Sequence, residues 1–304
     1  MDNLHATETE LSPTPRFAHR VGLLAGAGRF PIYFAESARR QGIEVVCVGI
    51  KDHASASLRD LVHQYHWTGL AKLGRMIGLF RRERIDCVVM AGKIEKKEMF
   101  RPWRILHYLP DLRMVRAWLS KGRGDNKDDA MLLALVREFQ KDGIRIASAL
   151  EICPELLVQA GIPTRRKPTA REKNDIAFGW KLAKAMGGLD VGQSVSVKES
   201  AVLAVEAIEG TDQAILRAGQ LCPAGGFTVV KVAKPNQDMR FDVPTIGVQT
   251  IETMRQAGGK VLAVEADKTI LIDAVETIAL ADKYGISIAV LTAANASTLD
   301  EAAA

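Results

Sequence analysis

The chain has 304 residues, 47% apolar and 25% charged, with a formal net charge of +5, a length that suggests two ordinary domains, each with its own core. No apolar run approaches the ~20 residues that cross a bilayer, and the opening "MDNLHATETELSPTPRFAHR" has acids and prolines where an export signal has a basic end and an apolar stretch, so a soluble cytoplasmic protein is expected. The charge is local: between Lys72 and Lys127 fifteen Lys and Arg meet six Asp and Glu, a +9 segment suited to nucleic acid, an anionic membrane or a phosphate-bearing ligand, or simply to a solvated helical face.

In chain order, residues 1–16 are expected to be a disordered tail and 17–159 an N-terminal Rossmann-like domain. This domain opens with "RVGLLAGAGRFPIYFAESARRQGIEVVCVGI", in which two apolar runs flank a Gly-rich turn and an amphipathic segment, as in a β-α-β unit. Helix-like "GLAKLGRMIGLFRRER" leads to the buried strand "IDCVVMAG". After "RPWRILHYLPDLRMVRAWLS" come the helix "AMLLALVREFQKDG" and the short strand "IRIAS". Strands alternating with helices imply a parallel sheet covered on both faces.

Prolines and charges break every period in "AGIPTRRKPTAREKND", which makes residues 160–175 the expected linker. Residues 176–296 read as a C-terminal α/β catalytic domain. The helix "IAFGWKLAKAMGGLD" is followed by two strands around the Lys-Glu-Ser turn of "QSVSVKESAVLAVEA", and the helix "GTDQAILRAG" has Thr211 or Asp212 as its cap. The strand "FTVVKVAK", the helix "VQTIETMRQAGG", the strands "KVLAVEA" and "TILID", the helix "AVETIALADKYG" and the strand "ISIAVLT" complete a unit whose sheet is expected to be mixed. Residues 297–304 are expected to form a second disordered tail. Cys47, Cys87, Cys153 and Cys222 are scattered without a C-x-x-C pair and read as buried thiols, neither metal ligands nor disulfides.

Several stretches carry chemistry-bearing residues. "AGAGRFP" places Gly26, Ala27 and Gly28 between a strand and a helix, where a backbone approaches a phosphate, although the full G-x-G-x-x-G is absent. "MAGKIEK" puts Gly92 and Lys93 at another strand end of the same sheet. In "AVEAIEGTD", Glu206 interrupts an apolar strand, and Glu209 and Asp212 enter the turn before a helix. An inward-facing carboxylate needs a cation or a metal beside it. "KVAKPNQDMRFDVPTIG" crowds Lys231, Lys234, Asp238, Arg240 and Asp242 into one loop, with Asp238 and Asp242 flanking Arg240 at spacing two, on one face of an extended segment. That pattern suits an Arg oriented by carboxylates toward phosphate, or a hard cation such as Mg2+. Together with Gln193, the set points to an acid-plus-base phosphate site. His63 and His66 have no acidic neighbour in sequence and read as packed or solvated. Asp128 reads as a helix cap, with Asp125 as an alternative acid. Finally, Trp103, Leu106, Leu112, Trp118 and Leu119 interleave with Arg101, Arg104, Arg113 and Arg116. This stripe is a helix core, or a seat for an acyl chain with an anionic head group.

On "LLAGAGRFP", "GQSVSVKESAVLAVEAIEGTD" and "VVKVAKPNQDMRFDVPTIG", the sequence resembles the LpxI family, the UDP-2,3-diacylglucosamine pyrophosphatases of lipid A biosynthesis, over most of residues 20–295. It departs from that family in reading "AGAG" where a run of glycines is expected. The resemblance implies hydrolysis of UDP-2,3-diacylglucosamine to UMP and 2,3-diacylglucosamine 1-phosphate by water attack on the α-phosphorus. It also implies a divalent ion, Mg2+ with Mn2+ as the alternative, lipid bound between two domains, and the cytoplasm of a Gram-negative cell with peripheral contact at the inner membrane. Asp238, with Asp242 as runner-up, would organise metal and water, and Lys231 and Arg240 would offset phosphoryl charge. Glu206, Glu209 and Asp212 would serve metal or nucleotide; Gln193 and Thr211 would join the glycine loops, Lys93 and the Trp103, Leu106, Leu112 stripe in holding substrate. A homodimer is the expected assembly.

Two readings stand against it. A nicotinamide-dependent oxidoreductase would use the first β-α-β unit with Asp52 near the end of its second strand, and a nucleic-acid binder would use the +9 segment. No recognition-helix or stacking-aromatic motif supports the second, so no nucleic-acid partner is expected.

Overall fold

A computed structural model describes residues 19–94, 109–120, 128–235, 237–241 and 243–301. Trp103, Leu106, Asp125 and Asp242, and the tail expected over 1–16, lie outside the described residues.

The N-terminal domain contains β1 (Arg20–Ala25), α1 (Phe30–Arg40), β2 (Glu44–Ile50), β3 (Gln64–Thr68), α2 (Leu73–Arg82), β4 (Cys87–Ala91), α3 (Leu112–Ser120), α4 (Asp128–Gln140) and β5 (Arg145–Ala147). Its sheet has the order β3-β2-β1-β4-β5, and every pair is parallel. Runs such as "VVCVGI" are apolar on both faces because both faces are covered. One face packs Phe34, Ala35 and Ala38 of α1, and the other packs Ile77 and Phe80 of α2 and Phe139 of α4. Strand β3 was not expected. "QYHWT" lacks apolar alternation because it is an edge strand, paired only with β2 and half-buried along most of its length.

The C-terminal domain contains α5 (Ala170–Gly188), β6 (Ser194–Lys198), β7 (Ala201–Val205), α6 (Thr211–Leu221), β8 (Thr228–Lys231), β9 (Thr245–Ile246), α7 (Val248–Ala257), β10 (Val261–Glu265), β11 (Ile270–Leu271), α8 (Ala274–Lys283), β12 (Ser287–Leu291) and α9 (Ala293–Glu301). The main sheet has the order β12-β10-β8-β6-β7. β8, β10 and β12 run parallel, while β6 is antiparallel to β7 and β8, so the sheet is mixed as expected. Glu199 and Ser200 turn the β6–β7 hairpin in the left-handed region, and the buried Asp175 carboxylate accepts both of their N–H groups at 3.1 and 2.7 Å.

Two boundaries differ from expectation. Helix α5 begins at Ala170, inside the segment read as linker, because Thr169 and Glu172 form a reciprocal capping box. The rest of that segment is tied to the C-terminal sheet, with Gly161 bridging Val290 and the Thr164 hydroxyl accepting the Ile288 N–H at 3.0 Å. At the other end, residues expected in a tail from 297 continue α9 to Glu301. The Thr292 hydroxyl accepts the Asn295 N–H at 3.2 Å, and Ala296 and Leu299 pack against Ile176 and Trp180 of α5.

The domains share core. Ile270 and Ile272 of the C-terminal domain are buried among β1 and α1 residues of the N-terminal core, with Val243 packed against them. Arg29, after β1, donates to Asp273 at 2.9 Å and 3.2 Å and to both oxygens of Glu36 at 2.9 Å. We therefore expect Ile272→Ala, which empties a buried position of the joint core, to cost about 2–5 kcal/mol. It should lower the unfolding of both domains together in a urea titration followed by fluorescence and circular dichroism. Two transitions, only one of them shifted, would show that the cores are independent.

Candidate active site

The carboxyl ends of β7, β8 and β10 and the start of antiparallel β6 lie at one edge of the C-terminal sheet, and Lys231, Thr211, Glu206 and Gln193, four of the polar residues singled out in the sequence, collect there. Lys231 ends β8 and is 9% exposed. Its ammonium donates to the Thr211 hydroxyl at 3.1 Å and to the Thr245 carbonyl at 2.9 Å. Thr211, the first residue of α6, donates onward to Glu206 Oε1 at 2.9 Å, and Ser194 donates to Glu206 Oε2 at 2.8 Å. Lys231, Thr211, Glu206 and Ser194 thus form one chain, in which the carboxylate has its cation at one remove. Gln193 borders it, its carbonyl accepting the Val232 N–H at 3.0 Å.

Glu209 lies apart from this chain, paired with Arg217 at 2.6 Å. Burial works against the ionised Glu209 carboxylate, but backbone N–H groups and Arg217 outweigh it and hold its pKa below the ordinary value. Asp212 occupies the first turn of α6, where a carboxylate suits the helix dipole.

Beyond β8 the chain is clamped. Glu265, ending β10 and only 3% exposed, accepts the Ala233 N–H at 2.9 Å and the Lys184 ammonium at 2.5 Å, while Lys184 also donates to the Ala233 carbonyl at 2.9 Å. Lys268 approaches the other Glu265 oxygen at 3.2 Å. Neither Glu265 nor Lys184 was singled out in the sequence. A signal was available, since the hexapeptide VLAVEA occurs at 202–207 and again at 261–266. Both copies put a glutamate at the same edge of one sheet, and only the first was weighed.

From this clamp the loop crosses to the other domain. Lys234 pairs with Asp190 at 2.7 Å, the Met239 carbonyl accepts the Ser148 hydroxyl at 2.7 Å, and Phe241 packs against the N-terminal core that includes Val48, Ile77 and Val88. Asp238 and Arg240 stand on this crossing. Arg240 Nε lies 2.9 Å from Asp238 Oδ1, its Nη2 2.6 Å from Oδ2, and its backbone N–H 3.0 Å from Oδ1. The guanidinium, together with that N–H, holds the Asp238 pKa below the usual aspartate range, and Asp238 raises that of Arg240 in return.

In the N-terminal domain, the loops holding Gly26, Ala27, Gly92 and Lys93 pair with each other. Gly26 and Ala27 donate their N–H groups to Ala91 and Lys93 at 2.8 Å, and Lys93 donates to Ala27 at 3.0 Å. Gly28 and Gly92 both adopt positive φ. On α3, Leu112 is 86% exposed, with Trp118 and Leu119 also open.

The acids named as metal ligands do not converge. Among the described residues no three of His, Cys, Asp and Glu are grouped to hold a metal ion. The donors therefore do not fit an all-protein cage. They fit only the Mg2+-like arrangement of one or two carboxylates completed by water and substrate phosphate.

A Rossmann-ordered parallel domain and a mixed-sheet domain, with a two-signed loop crossing between them, define a two-domain α/β protein in which Asp238 and Arg240 stand where the chain crosses from one domain to the other. The LpxI N-terminal domain model matches residues 20–156 and the LpxI C-terminal domain model residues 159–289, and the chain belongs to the LpxI family. A relative in Caulobacter vibrioides, UDP-2,3-diacylglucosamine pyrophosphatase LpxI, is 31% identical over 275 residues, 88% of this chain and 95% of that protein. Among solved structures, a UDP-glucose 4-epimerase from Stenotrophomonas maltophila with bound NAD and formylated UDP-arabinopyranose shares 18% identity over 41% of this chain and 34% of that one. Its TM-score is 0.26.

Two measurements check this geometry. Glu265→Ala strands the buried Ala233 N–H, which should cost about 1–3 kcal/mol in chemical denaturation. The Asp238 pKa is depressed, so the pair's contribution to folding is complete above the unfolded value, about 3.9, and is lost as pH falls through the folded value. Carboxyl-carbon NMR should show Asp238 titrating at higher pH in Arg240→Met than in the parent, and an unchanged midpoint would show that the guanidinium is not the cause.

Proposed function

We propose that this chain hydrolyses the pyrophosphate of UDP-2,3-diacylglucosamine to UMP and 2,3-diacylglucosamine 1-phosphate, a step of lipid A biosynthesis. The observation that carries this reading is the loop bearing Asp238 and Arg240, strapped across the junction of two domains that both match LpxI models. A substrate with a nucleotide at one end and acyl chains at the other needs recognition by both domains, with the anhydride between them.

Hydrolysis of an anhydride depends on positioning and on offsetting negative charge. Asp238, kept ionised by Arg240, orients the attacking water on the α-phosphorus. Arg240 Nη1, which has no bond to another described residue, offsets charge on the phosphoryl oxygens. Asp242 is the second candidate for the carboxylate role. Lys231 adds positive charge from behind the Thr211 hydroxyl, and Glu206 holds that hydroxyl in place. Gly28, Gly92, Lys93 and Gln193 line the path of the substrate, and Asp212 and Glu209 flank it at α6. A divalent ion, Mg2+ or Mn2+, would be held by Asp238 together with substrate oxygens and would neutralise phosphate charge. The exposed Leu112, Trp118 and Leu119 contact acyl chains or the inner membrane surface from the cytoplasmic side. Among the described residues no helix is long and apolar enough to cross a membrane.

The purified chain should release UMP from UDP-2,3-diacylglucosamine, lose that activity with chelator, and regain it with Mg2+ or Mn2+. In 18O-labelled water the label should enter UMP, and label in the lipid product would place attack on the β-phosphorus. Asp238→Ala should lower kcat by about 10²-fold or more with the thermal midpoint nearly kept; near-normal activity would move the role to Asp242.

A further inference from the structure

A helix that only covers a core turns its leucines inward and its charges outward. Helix α3 does the reverse. The side facing the protein starts with Arg113, whose guanidinium meets Asp142 and, at 3.4 Å, Glu138, which is 2% exposed. One turn on, Ala117 is buried in the cluster of Ile77, Phe80 and Phe139. On the outer side Leu112, Arg116 and Leu119, at i, i+4 and i+7, are exposed in one stripe, with Trp118 beside them and Leu109 just before the helix. Salt bridges hold α3 in place, and its apolar ridge is left in water.

The ridge adjoins a cavity. Asp111, the residue before α3, accepts the Met114 N–H at 2.8 Å and the Gly74 N–H of α2 at 2.7 Å, and its own N–H donates to the Ala71 carbonyl at 3.1 Å. The start of α3 is thereby seated on residues 69–75. With the ends of β2 and β3, that stretch encloses a cavity of about 550 Å³ lined by Lys51, Asp52, Trp67, Thr68, Gly69 and Arg75. The side chains of Lys51, Asp52, Arg75 and Arg116 have no hydrogen bond or ion pair with any other described residue, so three cations face one carboxylate without partners. Thr68 is buried, and its hydroxyl has no partner among the described residues. The half-buried Trp67 ring is fixed by Tyr65, edge-on at a centroid distance of 4.8 Å.

We propose that this end of the N-terminal domain docks on an anionic bilayer, with the phosphate head group of a glycerophospholipid in the cavity between Lys51 and Arg75, and with Leu112, Trp118 and Leu119 entering the lipid boundary beside it. A soluble phosphate compound would use the cations and leave the leucines unexplained. An uncharged apolar partner would use the leucines and leave the cations unexplained. An anionic membrane surface answers both, since it offers negative charge at the head groups and apolar chains just beneath them. The site is apart from the crossing of the two domains: it lies at the β3 edge of the sheet, whereas Ser148 follows β5 at the other edge. The proposal deepens the reading of α3 given above by choosing the bilayer over the acyl chains of the substrate, and it is measured without turnover.

The test is cosedimentation of the full chain with vesicles of phosphatidylcholine alone and of phosphatidylcholine mixed equally with phosphatidylglycerol, with thermal midpoints as the folding control. The parent should bind the mixed vesicles about tenfold or more tightly than the neutral ones, and high salt should remove most of that difference. Lys51→Ala/Arg75→Ala, which changes only exposed side chains, should lower binding to the mixed vesicles by about tenfold or more. Arg81→Ala/Arg82→Ala removes the same charge from the opposite end of α2 and should change it by less than about threefold. Leu112→Ser/Leu119→Ser should weaken binding with its salt dependence kept. No vesicle binding by the parent, equal binding to both compositions, equal loss in the two charge variants, or full binding by the serine variant each overturns the proposal. The composition and salt arms use the parent alone, so they decide even if a variant does not fold. If the vesicles are bound in the expected pattern but UDP-2,3-diacylglucosamine is not cleaved, the hydrolase reading fails and the docking surface stands. If the parent cleaves detergent-dispersed substrate but ignores the vesicles, the docking proposal alone fails.

Discussion

The structure depends on one buried carboxylate. Glu265 sits where an unpaired charge is prohibitive, and its surroundings answer with a backbone N–H and two ammonium groups. Because Lys184 also grips the carbonyl of the residue whose N–H Glu265 holds, the Ala233 peptide is fixed at both ends. That peptide sets the direction in which the chain leaves β8. With another exit angle, Met239 would not reach Ser148 and Phe241 would miss the N-terminal core.

What the clamp directs is a loop with divided loyalties. Its charged side chains belong to the polar edge of one sheet, and its apolar ones belong to the core under another. Asp238 and Arg240 thereby gain rigidity without burial: both remain partly exposed, yet the residues on either side of them are anchored. Pre-organisation of this kind is what the roles proposed for Asp238 and Arg240 would draw on, since groups already in place need not move to meet a developing charge. The chain of Lys231, Thr211, Glu206 and Ser194 extends the same logic one layer back, fixing the start of α6 against the end of β8.

Much of this was legible from residue pattern. Apolar runs bounded by glycine located most strands of both sheets, and the crowding of both charge signs after "FTVVKVAK" marked the loop. What escaped notice did so for physical reasons. β3 is an edge strand without alternation, and α5 starts among charges because a capping box needs only Thr169 and Glu172. Glu265 ends a strand, where a polar residue is ordinary, and only the fold shows that it is buried, although its hexapeptide duplicates the one around Glu206. The loop's crossing could not be read at all, since Phe241 packs on a buried cluster that includes Val48, Ile77 and Val88, far away in the chain. The closure of the Gly26 loop was equally hidden, because glycines that admit a phosphate also admit another strand end.

The shared core also bears on synthesis. Val243, Ile270 and Ile272 complete a hydrophobic layer whose remaining members lie in the first 156 residues. A chain emerging from the ribosome presents the Rossmann-like half first, with that layer open to water until over a hundred further residues have followed. During that interval the nascent domain carries an apolar scar on its surface, a site at which a chaperone would hold it. That layer is complete only when the neighbouring domain has been made.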